Sequence, residues 1–188
     1  MRTLISGCLI ASLILTAACG FALPLRAAEP PPANIPVPAL AAMDETFQPG
    51  LKLTIESGGA KDTRVARIVA FRVPPGSPPS PFMPPGAFKA TWEGVLTLRI
   101  KDEYTFKAEG SGALKLTIND AVALDVSGAD LSATSGPPVK LKKGKNILRA
   151  EYTSLATGEA SIRLFWFGKA FISESVPTTV FSHDAADH

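Results

Sequence analysis

Apolar residues occupy alternate positions through most of this chain, and residues 90–110 show the pattern most clearly. There Trp92, Leu96 and Leu98 share one parity, and Tyr104 and Phe106 continue the pattern after a turn. Successive side chains of a β-strand point to opposite faces, so this period predicts strands with one buried face and places the three rings in the core. Similar runs recur about every ten residues. We therefore expect an all-β fold, an antiparallel β-sandwich or barrel of about 8–10 short strands.

Turn-forming residues separate these runs. Asn119 and Asp120 lie between two alternating runs, and both residue types tolerate positive φ, which predicts a hairpin turn. The sequence KKGK at residues 142–145 predicts a second hairpin. Residues 64–73 are largely apolar at both parities, which predicts one strand covered on two faces. No helical period occurs after residue 28, so no helix is predicted.

The first 28 residues are typical of a secretory signal peptide. Arg2 precedes a run of apolar and small residues over positions 4–18, shorter than the roughly 20 residues that a membrane-spanning helix requires. Cleavage after residue 18, 22, 27 or 28 remains open. Cys19 follows two alanines, which leaves two interpretations: it is discarded with an ordinary leader, or it is the lipidated residue of a lipoprotein. Both predict an exported protein, periplasmic or extracellular, with or without a lipid anchor.

Proline-rich segments divide the rest of the chain. Residues 29–43 are predicted to be an extended linker, because residues 29–38 contain five prolines. The folded domain is expected over residues 44–182 and a tail over residues 183–188, which include His183 and His188. Residues 74–85 contain seven prolines and must interrupt regular structure. They are interpreted either as a stiff connection or as the rim of a binding site with Phe82 and Met83 at its tip.

Charge and composition exclude several functions. Two of the 19 basic residues lie in the leader, which leaves 17 against 17 acidic residues. A neutral domain is a poor partner for nucleic acid. Both cysteines, Cys8 and Cys19, also lie in the leader, so the mature domain has no thiol nucleophile or disulfide framework. The histidines fall in the predicted tail and paired carboxylates cannot be assigned. We therefore expect no catalytic residue, no metal site, no transmembrane helix in the mature chain, and a monomer.

Four stretches follow one another in an order that resembles a known family: FKATWEGVL, DEYTFKAEGSGALKLTINDAVALD, GKNILRAEYT and ASIRLFWFGKAF. They contain a Trp-x-Gly strand, a Tyr-x-Phe strand, a hairpin with a small polar turn, a Leu-x-x-Glu-Tyr strand and a late Leu-x-Trp strand. In this order they resemble the anthrax protective-antigen-type domain, the PA-fourteen family of lectin-like β-barrel modules, over residues 44–182. The family also occurs in yeast adhesins and as insertions in bacterial glycosidases.

The resemblance implies a non-catalytic module, and several members bind glycans through a calcium ion held by two consecutive aspartates. This chain contains no Asp-Asp pair, so no cofactor is expected, although calcium remains open. The candidate ligand-binding residues are Asp130, in a loop, and three aromatic residues that could stack on sugars, Phe82, Phe165 and Phe167. Each of the three rings is alternatively part of the core.

Two functions follow from the resemblance and from the exported location. The first is binding of carbohydrate, in particular cell-surface glycans. The second is a structural or accessory interaction domain of a larger exported assembly that contains a cytochrome or a hydrolase, with no affinity for glycans. The expected partner is accordingly a glycan or another exported protein.

Overall fold

The computed structural model describes residues 47–187. The predictions for the signal peptide, Cys19, the linker, the domain start at residue 44 and His188 fall outside the described residues. Within them the chain forms thirteen strands and two short 3₁₀ turns, Thr178–Val180 and Ala185–Asp187. The strands are β1 (Phe47–Pro49), β2 (Leu51–Ser57), β3 (Ala60–Ala66), β4 (Ala70–Val73), β5 (Lys89–Leu98), β6 (Asp102–Gly110), β7 (Gly112–Ile118), β8 (Ala121–Gly128), β9 (Val139–Leu141), β10 (Gly144–Thr153), β11 (Ala160–Gly168), β12 (Phe171–Ser175) and β13 (Phe181–Asp184).

The strands form two antiparallel sheets. In the first, which we call sheet A, the order is β3-β2-β5-β10-β7-β8, and β13 pairs with β5 beyond the end of β2 and with β1. In the second, sheet B, the order is β9-β6-β11, and both β4 and β12 pair with the other edge of β11. The predicted all-β antiparallel fold is confirmed. The thirteen strands exceed the expected 8–10, and four of them, β1, β4, β9 and β13, are only three or four residues long.

The inner faces of the two sheets meet in one apolar core. Strand β10 illustrates the alternation, since Leu148, Ala150 and Tyr152 are buried and the residues between them are exposed. Trp92, Tyr104 and Phe106 are all buried, which confirms the prediction from the alternating pattern. Burial of this apolar surface supplies the main favourable term for a domain without disulfides in its described residues.

The two tryptophans of the core differ in their polar contacts. Trp92 of sheet A meets Phe71 of sheet B edge to face, with 6.4 Å between ring centroids. Its indole Nε1 is buried and has no hydrogen-bond partner. Trp166 instead donates from Nε1 to the Glu174 carboxylate at 3.1 Å and stacks on Tyr104. Burial of Trp92 therefore leaves its indole N–H without a hydrogen bond, whereas the indole N–H of Trp166 is satisfied.

A buried asparagine ties the β7–β8 hairpin turn to the β9–β10 turn, which passes from sheet B to sheet A and is not the hairpin predicted for residues 142–145. Asn146 donates from Nδ2 to the carbonyls of Lys142, Gly144 and Leu96, and its Oδ1 accepts from Asn119 Nδ2 and Lys142 N. Asn119 and Asp120 have φ values of 49° and 67°, which confirms the hairpin predicted there. A single amide thus holds the β7–β8 and β9–β10 turns against each other.

The structure also corrects two other predicted segments. Residues 64–73 are not one strand covered on both sides, because residues 67–69 bend and the chain passes from β3 in sheet A to β4 in sheet B. Strand β3 is the edge of sheet A and is mostly exposed. The tail also begins later than predicted, since His183 and Asp184 belong to β13 and pair with Gln48 and Phe47. Long-range pairing decides both points. In the described part of the chain, no helix is long and apolar enough to cross a bilayer.

Candidate functional site

Five connections gather at one end of the sandwich, which we call the loop end. They are the β2–β3 turn at residues 58–59, the β4–β5 loop at residues 74–88, the β6–β7 turn at residue 111, the start of the β8–β9 connection and the β10–β11 loop at residues 154–159. The strand registers bring them together, since Lys89 pairs with Thr153 and Ala160 with Val73. The backbone of Phe88 also exchanges hydrogen bonds with Ser154.

The proline-rich β4–β5 loop is fixed against the β2–β3 turn. Ser57 Oγ lies 3.2 Å from the carbonyl oxygen of Ala87 and donates a hydrogen bond to it. Gly58 has a φ of 57°, and a Cβ at this position would lie 2.8 Å from the Pro84 ring. Glycine is therefore required both for the turn and for the close approach of the loop. The loop is held in place by side-chain and backbone contacts.

Three clefts open at the loop end. The turn cleft, of about 540 Å³, lies between the β2–β3 turn and the start of β5, and Glu56, Lys61, Lys89 and Thr153 supply its polar lining. The loop cleft, of about 300 Å³, separates the β4–β5 loop from the β10–β11 loop. The sheet cleft, of about 270 Å³, lies on the outer face of sheet A. The turn and sheet clefts share Lys89 and Thr153, so they adjoin each other.

Phe82 lies in the β4–β5 loop and its side chain is 86% exposed. A ring in this position has no packing role in the core. Pro84, two residues further along the chain, packs against the β2–β3 turn that lines the turn cleft, and the Cα atoms of Phe82 and Pro84 are at most about 7 Å apart. The predicted tip of the loop is only half right, because Met83 is buried in the core.

Asp130 lies in the β8–β9 connection and is exposed. Its Oδ1 accepts a hydrogen bond from the backbone of Ser132 at 2.8 Å. Hydrogen bonds from the Ser132 side chain and backbone lower the pKa of the Asp130 carboxyl. The contacts give this carboxylate a local role in shaping its own turn.

Phe165 and Phe167 lie away from the loop end, on the outer face of sheet B. Their side chains are half-buried, and the Arg163 guanidinium lies 5.5 Å from the centroid of Phe165. Phe165 is five residues along β11 from Ala160, about 17 Å from the loop end. The structure therefore does not bring Phe165 and Phe167 together with Phe82, and neither ring is in the core.

Residues 47–187 hold no group of three or more His, Cys, Asp or Glu side chains that could bind a metal ion. Calcium prefers several converging oxygen ligands, and in these residues Asp130 is not part of a cluster of three such side chains. His183 is buried, with Nδ1 3.2 Å from the Gly50 carbonyl, so its ring is not presented at any cleft.

The polar lining of the turn cleft was not predicted from the sequence. Glu56 and Lys89 are direct partners across β2 and β5, and Lys61 Nζ lies 4.0 Å from Glu56. These residues occupy the outward parity of their strands, where charge is expected on any sheet. Only their position beside the β2–β3 turn distinguishes them, and this position depends on the register between strands.

Family and structural comparisons agree with this architecture. Residues 49–178 match the family model described as PA14 domain. The chain belongs to the PA14 domain family. This PA14 domain is similar to an anti-sigma factor domain-containing protein, with 25% identity and a TM-score of 0.62 over 72% of this chain and 48% of that one. It thus spans about half the length of that protein. No curated protein matches the chain.

Two further solved structures share the fold of this PA14 domain. One is the PA14 sugar-binding domain from an RTX adhesin, with 14% identity and a TM-score of 0.58 over 72% of this chain and 98% of that one. The other is the Epithelial Adhesin 6 A domain from Candida glabrata in complex with Galb1-3GlcNAc, with 10% identity and a TM-score of 0.56 over 73% of this chain and 88% of that one. At these identities the similarity concerns the fold.

Proposed function

We propose that this PA14 domain is an exported, non-catalytic carbohydrate-binding module, and that its sugar site is the turn cleft with the neighbouring Phe82. The observation that carries the proposal is an open cleft of about 540 Å³ lined by hydroxyl, ammonium and carboxylate groups, at the end of the sandwich where the β4–β5 loop also carries the 86% exposed ring of Phe82. Sugars present hydroxyls at their edges and C–H groups on their faces. A cleft with polar groups and an adjacent ring matches both.

The similarity to sugar-binding adhesin domains supports this proposal, since two proteins with this fold are a sugar-binding domain and a glycan complex. The lack of an accessible imidazole in residues 47–187 supports a binding role over catalysis. Because the carboxylates do not form a calcium cluster, we propose that binding does not require this ion.

The proposal is tested by titrating the mature protein with gluco-, manno-, galacto- and N-acetylglucosamine sugars, first on an array and then by calorimetry, in calcium and in EDTA. Phe82→Ala should weaken binding of the best sugar about fivefold, because an aromatic contact contributes about 1 kcal/mol. Ile172→Ala is the matched control, since Ile172 is 87% exposed on β12 of sheet B and lies away from the turn cleft.

The outcomes separate the two functions. Equal losses in Phe82→Ala and Ile172→Ala would place the sugar elsewhere on the domain. No binding of any sugar, with or without calcium, would overturn the proposal and leave the accessory interaction domain. A loss of binding in EDTA would show that calcium takes part through ligands other than a carboxylate cluster.

A further inference from the structure

The turn cleft and the sheet cleft lie along one row of paired residues on the outer face of sheet A. In an antiparallel sheet, directly opposed residues point to the same face. The pairings that run across sheet A connect β3, β2, β5, β10, β7 and β8 through Lys61, Glu56, Lys89, Thr153, Ala113 and Ser127. The first four residues line the turn cleft, and three of the row, Lys89, Thr153 and Ala113, line the sheet cleft.

The side chains of this row become shorter toward β10 and β7, and this shortening produces the sheet cleft. Thr153 and Ala113 have short side chains, whereas the next row toward the sheet centre carries Glu151, Lys115 and Asp125. The short residues form a floor and the longer residues a wall. Arg149 donates from Nη2 to Glu151 Oε1 at 2.9 Å and from Nη1 to Glu93 Oε1 at 2.8 Å, which holds the Glu151 part of the wall in place.

The turn cleft and the sheet cleft together form what we call the trough. It crosses six strands, which corresponds to roughly 24 Å at the usual spacing between neighbouring strands. A single sugar ring spans little more than one such spacing. The lining of the two clefts is also balanced in charge, with three lysines against three carboxylates: Lys61, Lys89, Lys115, Glu56, Asp125 and Glu151. A balanced lining gives no field that would attract a polyanion, and it offers donors and acceptors to hydroxyls.

We propose that this trough binds an uncharged oligosaccharide of several residues, with one sugar in the turn cleft and the chain continuing over Thr153 and Ala113 into the sheet cleft. The inference rests on the proposed function and names its substrate class. The turn cleft alone determines binding of a monosaccharide. The sheet cleft adds affinity only when the ligand is long enough to reach it.

The test compares sugars of one to five residues from the neutral gluco-, manno-, galacto- and N-acetylglucosamine series, with oligogalacturonate as the acidic counterpart. Affinity in one neutral series should rise at least about tenfold between the monosaccharide and the trisaccharide. Ala113→Tyr fills the floor of the sheet cleft from an outward-facing, partly exposed position. It should abolish this rise and leave the monosaccharide affinity unchanged.

Thr117→Tyr is the matched control. Thr117 lies on the same strand and the same face, with similar exposure, about 13 Å from Ala113 along β7, and does not line either cleft. Thermal unfolding of both variants checks that they fold, and Ala113→Leu replaces Ala113→Tyr if that variant does not. Support requires that the Ala113 variant lowers trisaccharide affinity and that Thr117→Tyr does not.

Three results would overturn the proposal that the trough binds an uncharged oligosaccharide. Monosaccharide and trisaccharide affinities that are equal would remove it while leaving the carbohydrate-binding function intact. A rise with length that survives filling at Ala113 would direct the chain along another path. Preference for oligogalacturonate over every neutral series would contradict the balanced-charge argument. If no sugar of any length binds, the proposed function fails together with the inference.

Discussion

Substitutions of Trp92 should change the unfolding free energy of the domain by amounts that depend on what replaces the indole ring. Its ring is completely buried and its Nε1 donor has no acceptor. Trp92→Ala removes the ring and leaves a cavity, and such changes cost about 3–5 kcal/mol of unfolding free energy. The whole margin of a domain is about 5–15 kcal/mol, so this variant should lose a large fraction of its unfolding free energy.

Trp92→Phe is expected to behave quite differently. Phenylalanine leaves a cavity on the order of 40 Å³, which costs about 1 kcal/mol at about 24 cal/mol per Å³. It also removes an unpaired buried donor, whose burial costs about 1–3 kcal/mol. The two effects nearly cancel, so the unfolding free energy of Trp92→Phe should lie within about 1 kcal/mol of the parent value.

Trp166→Phe provides the control, because the Trp166 Nε1 donates to the Glu174 carboxylate. There the substitution creates a similar cavity and loses a hydrogen bond to a charged group, about 1.5 kcal/mol when the acceptor is exposed to water. Urea unfolding followed by far-UV circular dichroism should show the smallest loss of unfolding free energy for Trp92→Phe, a larger loss for Trp166→Phe and the largest for Trp92→Ala. A loss in Trp92→Phe as large as that in Trp92→Ala would refute the argument from the unpaired donor.

Two further predictions concern buried polar groups. Asn146→Ala removes five hydrogen bonds that join two turns, so it should lower the unfolding free energy by about 3 kcal/mol, and a loss under about 1 kcal/mol in urea would contradict this role. Burial raises the pKa of the Tyr152 phenol to about 12, and burial followed by the charge of Asp102 raises that of Tyr104. Because the folded protein favours the neutral Tyr152 phenol, its stabilising contribution is complete below pH 10 and is lost as the pH rises through about 12. Titration of tyrosinate absorbance should therefore show a component near pH 12 that Tyr152→Phe eliminates, and ionisation of both tyrosines at pH 10 would disprove it.

The alternation of apolar residues predicted much of the fold because each strand reports its buried face locally. The parity of Trp92 and of Tyr104 was sufficient to place both rings in the core. The positive φ of Asn119 followed from residue type in the same way. These features depend on neighbours within a few positions, so the pattern contains the necessary information.

The failures have a common physical cause. Residues 64–73 have an apolar pattern that suits one buried strand, yet their central bend sends the chain to another sheet. His183 follows the last strongly alternating run, yet pairing with Gln48 draws it into β13. Phe165 and Phe167 are predicted to lie in a site or in the core, and their half-buried position on an outer sheet face excludes the core and leaves their role in binding a prediction. In each case a distant segment determines the environment.

By itself, the sequence determined the class of fold, the identity of the core rings and the absence of cysteine from residues 47–187. The tertiary structure decided which outward-facing residues share a surface. Glu56, Lys89 and Thr153 are far apart along the chain and become neighbours only through the register of β2, β5 and β10. Side-chain period is a property of one strand, whereas register is a property of strand pairs, and a shift of one residue would turn this row to the other face.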